Sequence, residues 1–374
     1  MKIDFVDERS TCRQGPTALR FPLSTYHGGD IYNNSVDIDF SVNLNPYVTD
    51  ELKAVIKEAA SEGMASASFY PDPDQKAVRS ALADMENIDM ECVFAGNGAS
   101  ELLLASARML NPGKALLIEP CYTGYEYALK CVRDCGIRRY SLREEEGFCL
   151  TKDVLDAITD DIDVICLADP NNPTGKNIDG NLLEKILGRS DELNISVVLD
   201  RSFYMLSNAY NKNTDEKYAE LISKYKNLFI IKSFTKCFAL PGIRMGYVIS
   251  SSDNVLKLSR HLPEWNLPSV SDALMRRLSV YAKDGKFYRD SIEQIKTERS
   301  FLMKELSGTG FKVFESDTNY LLIKSHKNIY EKLLDKGILI RKCDDFYGLN
   351  GDFYRIAVKG REDNIHLIEA LAGM

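Results

Sequence analysis

Much is missing from these 374 residues, and each absence closes off a class of function. No run of about eighteen apolar residues occurs, so no membrane-spanning helix is expected. The opening segment MKIDFVDERSTCRQG is charged and has no apolar stretch of the signal-peptide kind, which makes the cytoplasm the expected compartment. The nine cysteines form no CxxC pair and the four histidines no HxxxH pair, so neither a disulfide framework nor a metal site is expected. Lys and Arg number 47 against 55 Asp and Glu, a formal net charge of −8 with no basic stripe, which excludes non-specific nucleic-acid binding. The glycines and prolines do not gather into a linker, and no repeat of twenty to fifty residues recurs.

What is present is an ordinary globular composition, 44% hydrophobic and 27% charged, long enough for one large domain or two sharing a cleft. From about residue 90 to 250, short apolar runs alternate with helical stretches. The runs are CVFAG (92–96), ALLIE (115–119), DVICLA (163–168), ISVVLD (195–200), LFIIKS (228–233) and MGYVIS (245–250). Between them lie stretches such as SELLLASARML (100–110), spaced for a helix and stopped by Asn111-Pro112-Gly113. Runs that are apolar without alternation suit strands buried on both faces of a mainly parallel sheet. Ligand sites are then expected beyond the carboxyl ends of those strands. After residue 266 the pattern changes. A polar, amphipathic stretch from Ser271 to about Leu306 reads as one long helix. Strand-like FKVFES (311–316), NYLLIK (319–324), ILIRK (338–342) and FYRIAV (353–358) follow, with helical segments near 328–336 and 362–371. The expected organisation is an arm at 1–45 that joins the small domain, a large α/β domain at 46–265, and a small α+β domain at 266–374.

Lys236 stands in SFTKCFALPGIRMGY, directly after an apolar strand. Desolvation there disfavours the ammonium form and readies the amine to attack an aldehyde. On its own this is one basic residue among 47. Ser233 and Arg244 flank it, and arginine offers a fixed fork of donors for a phosphate. GNGASELLL (96–104) passes from a glycine-containing loop into a helix, with Ser100 read as its cap, and backbone N–H groups at such a start bind phosphate. Asp200 ends the strand ISVVLD, where a carboxylate can meet a protonated ring nitrogen, or can simply serve a turn. Asn172 in ADPNNPTG can offer its amide to a ring oxygen, or belong to a plain Asn-Pro turn.

Taken together, GNGAS, NNPTG, an aspartate after an apolar strand, SFTK and an arginine eight residues on resemble the class I/II aminotransferases, fold-type I pyridoxal-phosphate (PLP) enzymes. The resemblance spans essentially the whole chain. It implies a mainly parallel mixed sheet between helices, a PLP Schiff base on Lys236, Asp200 beneath the ring nitrogen, and Asn172 at the ring oxygen. It further implies phosphate contacts at Gly98, Ala99, Ser100, Ser233 and Arg244, and ring stacking by Tyr122. Arg355 in FYRIAV matches the arginine that holds a substrate carboxylate. Tyr70 in FYPDPD matches a tyrosine that reaches the neighbouring subunit's cofactor, which implies a homodimer with composite sites.

Within the family the chain is most similar to the branch of histidinol-phosphate aminotransferases and threonine-phosphate decarboxylases. HGGD (27–30), DFSVNLNPY, GILIRKCDDFYGLNG and Phe203, where most aminotransferases carry tyrosine, lean towards the decarboxylases. Both use phosphorylated substrates, so Arg341, His27 and Asn45 join Arg355 as candidate substrate contacts. The implied activity is transamination of a small phosphorylated amino compound, with decarboxylation of an O-phospho-amino acid as the alternative and a non-catalytic ligand-sensing module as a remote one. Arg201, where the family usually has glutamate, is a departure.

Overall fold

The protein is described by a computed structural model covering residues 28–210 and 219–372. In chain order its strands are β1 (Ile38–Asp39), β2 (Val93–Gly96), β3 (Lys114–Glu119), β4 (Gly136–Ser141), β5 (Val164–Ala168), β6 (Ser196–Asp200), β7 (Leu228–Ser233), β8 (Gly246–Ile249), β9 (Lys312–Val313), β10 (Tyr320–Lys324), β11 (Ile338–Leu339), β12 (Arg341–Lys342) and β13 (Phe353–Ala357). Seven of them build one sheet in the order β2-β8-β7-β6-β5-β3-β4, in which only β8 runs antiparallel to its neighbours. Every residue of β2, β7 and β8 is buried, as expected of strands covered on both faces.

The edge strand β4 has no apolar run to announce it. Its sequence GIRRYS is half-buried or exposed, and it holds its place by pairing with β3 and by ion pairs from Arg138 to Asp161 and from Arg139 to Glu126. Helix α1 (Asp50–Ala65) is capped by Thr49, whose side chain accepts from the Leu52 N–H. Helix α2 (Lys76–Glu86) is tied to β7 by the buried Glu86–Lys232 pair at 2.7 Å. Helix α3 (Ala99–Leu110) follows β2.

A four-stranded antiparallel sheet, β12-β13-β10-β9, forms the second unit. The amphipathic stretch is two helices, Ser269–Ala282 and Lys286–Gly308, rather than one. They part at Gly285, whose φ of 70° is a left-handed conformation that glycine adopts cheaply. ILIRK is likewise divided. Ile338–Leu339 pairs in parallel with β1, and Arg341–Lys342 pairs with β13, so the chain changes partners at Ile340. FKVFES contributes only the two residues of β9. β1 brings the segment before residue 45 against this second unit. There the Phe40 N–H donates to Leu339 O at 2.7 Å, and Phe40 O accepts from Ala357 at 2.9 Å.

Candidate active site

The carboxyl ends of β3, β5, β6 and β7, the start of α3 and the small-sheet strands β12 and β13 converge on a cavity of about 430 Å³. Ala99, Ser100, Tyr122, Asn172, Asp200, Ser233, Lys236, Arg244, Arg341 and Arg355 all line it, residues drawn from most of the motifs singled out in the sequence. Gly98 lies one step outside and makes room for Arg244. A Cβ at Gly98 would stand 2.8 Å from the guanidinium, and its φ of 86° already favours glycine. Gly98, not Ser100, is the N-cap residue of α3. The chain needs a left-handed-side conformation at that corner, and Ser100, one turn position inside, lines the cavity instead.

Lys236 sits in a short turn, Phe234–Cys237, that follows β7 directly. Burial, with the neighbouring charges of Arg355 and Arg244, pushes its amine down to about 8. The Lys236 side chain passes over the Phe203 ring, Nζ to centroid 5.9 Å, and Phe203 packs edge-on against Tyr320. Asp200 is buried, which raises its carboxyl above the usual range. Hydrogen bonds from the Ser202 N–H and the Tyr125 hydroxyl, each 2.9 Å, oppose that rise. Among the described residues no cation shifts this carboxyl, so a protonated ring nitrogen suits it. Tyr122 meets Tyr125 edge-on at 5.6 Å, and Gly124 is small where a Cβ would strike the Tyr122 ring.

Arg355 is buried and reaches two partners. Its guanidinium donates to Asn172 Oδ1 at 2.5 Å and to Ser41 O at 2.7 Å, while its Nε has no hydrogen-bond partner. Burial lowers its pKa to about 10. Arg341 stands opposite Arg355 in the β12–β13 register and donates to Asp345 Oδ2 at 2.6 Å.

The structure does not bring every expected residue into the cavity. Asn45 is buried behind it. Its N–H donates to Lys236 O at 2.9 Å and its side-chain amide to Cys237 O at 3.0 Å, so it pins the turn that carries the lysine. Tyr70 lies on the surface, 81% exposed, with its ring 4.7 Å from that of Trp265. His27 falls outside the described residues. Sequence reasoning missed Thr235, whose Oγ1 lies 2.6 Å from Ser233 Oγ, and Asn43, whose buried amide lines the cavity with neither atom bonded. A signal for Asn43 existed in the NLN of DFSVNLNP, but only the folded structure shows that Asn43 lines the cavity while Asn45 holds the Lys236 turn.

This donor set fits PLP. Helix-start amides, Ser100, Ser233, Thr235 and Arg244 form an anion cup at one end. The buried Asp200 carboxylate, the Tyr122 ring and the Lys236 amine line the same cavity. Comparison with known proteins agrees. The model of the aminotransferase class I and II family matches residues 35–371. The threonine-phosphate decarboxylase of Salmonella typhimurium is 29% identical over 93% of this chain and 96% of its own length. A histidinol-phosphate aminotransferase of Methanosphaera stadtmanae is 30% identical over 84% of this chain and 85% of its own. The crystal structure of the histidinol-phosphate aminotransferase from Clostridium acetobutylicum superposes with a TM-score of 0.80 at 27% identity, covering 90% of this chain and 98% of that one. With its motifs gathered at the carboxyl ends of one mixed sheet, this chain belongs to the class I and II aminotransferase family and is a PLP enzyme.

Proposed function

We propose that the enzyme acts on a small amino acid carrying a second, distal anion, and that its reaction is the decarboxylation of an O-phospho-L-amino acid. The observation that carries this is the register of β12 and β13, which sets Arg341 directly opposite Arg355 with both lining the Lys236 cavity. Like charges facing one another across strands are unfavourable unless anions meet them. Arg244 serves the cofactor's phosphate, which leaves Arg355 for a carboxylate and Arg341 for a group a few atoms away. The Salmonella relative is a threonine-phosphate decarboxylase, and Phe203 offers no hydroxyl to the cavity. Transamination of a phosphorylated amine is the second reading, supported by the histidinol-phosphate aminotransferase relative.

PLP, when bound, supplies an electron sink for a bond broken at Cα. Asp200 supports that role by keeping positive charge at the ring nitrogen. Arg355 and Arg341 would orient the substrate and so select which Cα bond breaks. Lys236, whose amine stands in the same cavity, would take or return a proton at the substrate Cα. The proposal extends to a cytoplasmic homodimer in which Tyr70 serves the partner's site, and to a division of the chain at residues 45 and 265.

The test supplies O-phospho-L-threonine, O-phospho-L-serine and L-histidinol phosphate, each with and without 2-oxoglutarate. Carbon dioxide release with no keto-acid requirement is the expected result. Amino transfer to 2-oxoglutarate establishes the second reading. No turnover of any phosphorylated compound, beside turnover of plain amino acids, removes the substrate class.

A further inference from the structure

Arg341 is the cation that the proposed function assigns to the substrate's distal anion, yet it already holds a carboxylate. Its Nη2 donates to Asp345 Oδ2 at 2.6 Å, with side-chain exposures of 10% and 6%. Its Nη1 donates to Lys342 O at 2.7 Å, and its guanidinium covers the Phe346 ring at 5.2 Å. Asp345 Oδ1 is buried with no hydrogen-bond partner. Asp345 itself does not line the cavity, whereas Arg341 and Phe346 do. A carboxylate therefore backs the guanidinium from inside the protein.

This placement answers a local electrostatic problem. Arg341 and Arg355 face each other in register, and each raises the cost of the other's charge. Among the described residues, the other titratable groups nearby are Cys343, Tyr330 with Glu331 and Asp30 beside it, and the Lys342–Asp344 pair. Cys343 lies between the two arginines, Tyr330 approaches from the helix Ile329–Leu334, and Lys342 and Asp344 offset each other in a 2.9 Å ion pair. Among the described residues, Asp345 is the carboxylate ion-paired with Arg341, and it offsets the charge the two arginines bring to one wall. The same charge repels any anion that comes to Arg341, and it repels a dianion more than a monoanion.

We propose that Asp345 sets the charge preference of the distal-group site, holding Arg341 in place while weakening the site's advantage for a doubly charged phosphate over a singly charged one. The inference rests on the phosphorylated-substrate reading above. A phosphate monoester passes from monoanion to dianion near pH 6, so the substrate carries its own charge probe. Asp345→Asn keeps an acceptor for Arg341 and removes the charge, and Asp345→Ser removes it with less bulk.

The experiment measures kcat/KM for whichever of O-phospho-L-threonine or O-phospho-L-serine is turned over. It also measures the ester's dissociation constant from the cofactor's visible absorption, using holoenzyme from pH 5.5 to 8. Taking the ratio of variant to wild type cancels titrations common to both, that of Lys236 included. The expected ratio rises about tenfold between pH 5.5 and 8 in both variants, in kcat/KM and in binding alike. A ratio flat with pH, or a loss of binding equal at both ends, overturns the assignment of Asp345 and leaves the substrate class intact. If neither ester binds the wild-type holoenzyme, the O-phospho-amino-acid reading falls and takes this proposal with it.

Discussion

In the proposed reaction Lys236 carries the largest chemical burden of any single residue. In the cofactor-free protein its amine titrates at about 8 because burial and the charges of Arg355 and Arg244 oppose the ammonium. Only the neutral amine attacks an aldehyde, so the rate of PLP capture rises with pH and levels off a little above 8. An unperturbed lysine keeps rising towards 10.4. Stopped-flow absorbance of cofactor uptake from pH 6.5 to 10.5 decides between the two, and a rise that persists to pH 10 contradicts the perturbed amine. The same depression costs stability below pH 8, where the folded state must hold a charge that the unfolded chain holds freely, and the cost disappears above the unfolded value. Cofactor-free Lys236→Met is therefore expected to melt higher than wild type at pH 7, by about 2 °C for a chain of this size. The two should converge near pH 10.5. Differential scanning fluorimetry at the two pH values reads the outcome, and an equal offset at both points to packing rather than charge.

Elements decide how these residues meet, and here the sequence was legible only in part. The central strands β5 to β8 stand out because both of their faces are buried, which leaves an unbroken apolar run in the chain. β4 stays hidden because an edge strand with Arg138 and Arg139 exchanges apolar burial for ion pairs. Lys236, Asp200, Asn172 and Arg244 could be picked out because each sits beside a strand end in a recognisable motif. Asn43 and Asp345 could not. Their roles depend on β1 pairing with β11 and on β12 pairing with β13, contacts between segments far apart in the chain. Arg201 was visible as a departure without an explanation, and the structure supplies one. Its guanidinium pairs with Asp169 at 2.8 Å, both side chains nearly fully buried, and lies 4.2 Å from the Tyr204 ring centroid. Asp169 precedes the NNPTG loop and also accepts from the Ile178 N–H at 3.0 Å, so the pair fastens the ends of β5 and β6 beneath Asn172 and Asp200. Arg201→Leu leaves a carboxylate buried and unpaired, an expected loss of about 3–5 kcal/mol. The double variant Asp169→Asn with Arg201→Leu should recover most of it, because the amide still accepts from Ile178 and no charge remains buried. Urea denaturation of the cofactor-free variants measures both, and additive losses in the double variant count against the pairing.

At the scale of the whole molecule, the catalytic cavity draws on both sheets and on the segment before residue 45. Ser41 O and Asn172 Oδ1 hold Arg355 between them, so one arginine of the second sheet touches both the arm and the large sheet. Tyr347, from the loop after β12, receives the Arg139 guanidinium at 4.6 Å and adds a second link across the cleft. Tyr70 stands apart from this assembly. Its ring and that of Trp265 form an exposed aromatic pair beside Phe69, itself 73% exposed, a large apolar area to carry uncovered. In the proposed homodimer a second copy of the chain would cover this area, and FYPDPD would supply the tyrosine that serves the neighbouring site. The consequence is complementation. Tyr70→Ala and Lys236→Ala each lower activity alone, through different sites of the same dimer. Mixed and allowed to exchange subunits, they form hybrids in which one cavity carries Lys236 with Tyr70 supplied by the other chain, and part of the activity returns. Activity that stays at the level of the separate variants, while sedimentation shows exchanged dimers, places Tyr70 and Lys236 in the service of the same subunit. A wild-type enzyme that sediments as a monomer at full activity removes the composite site altogether.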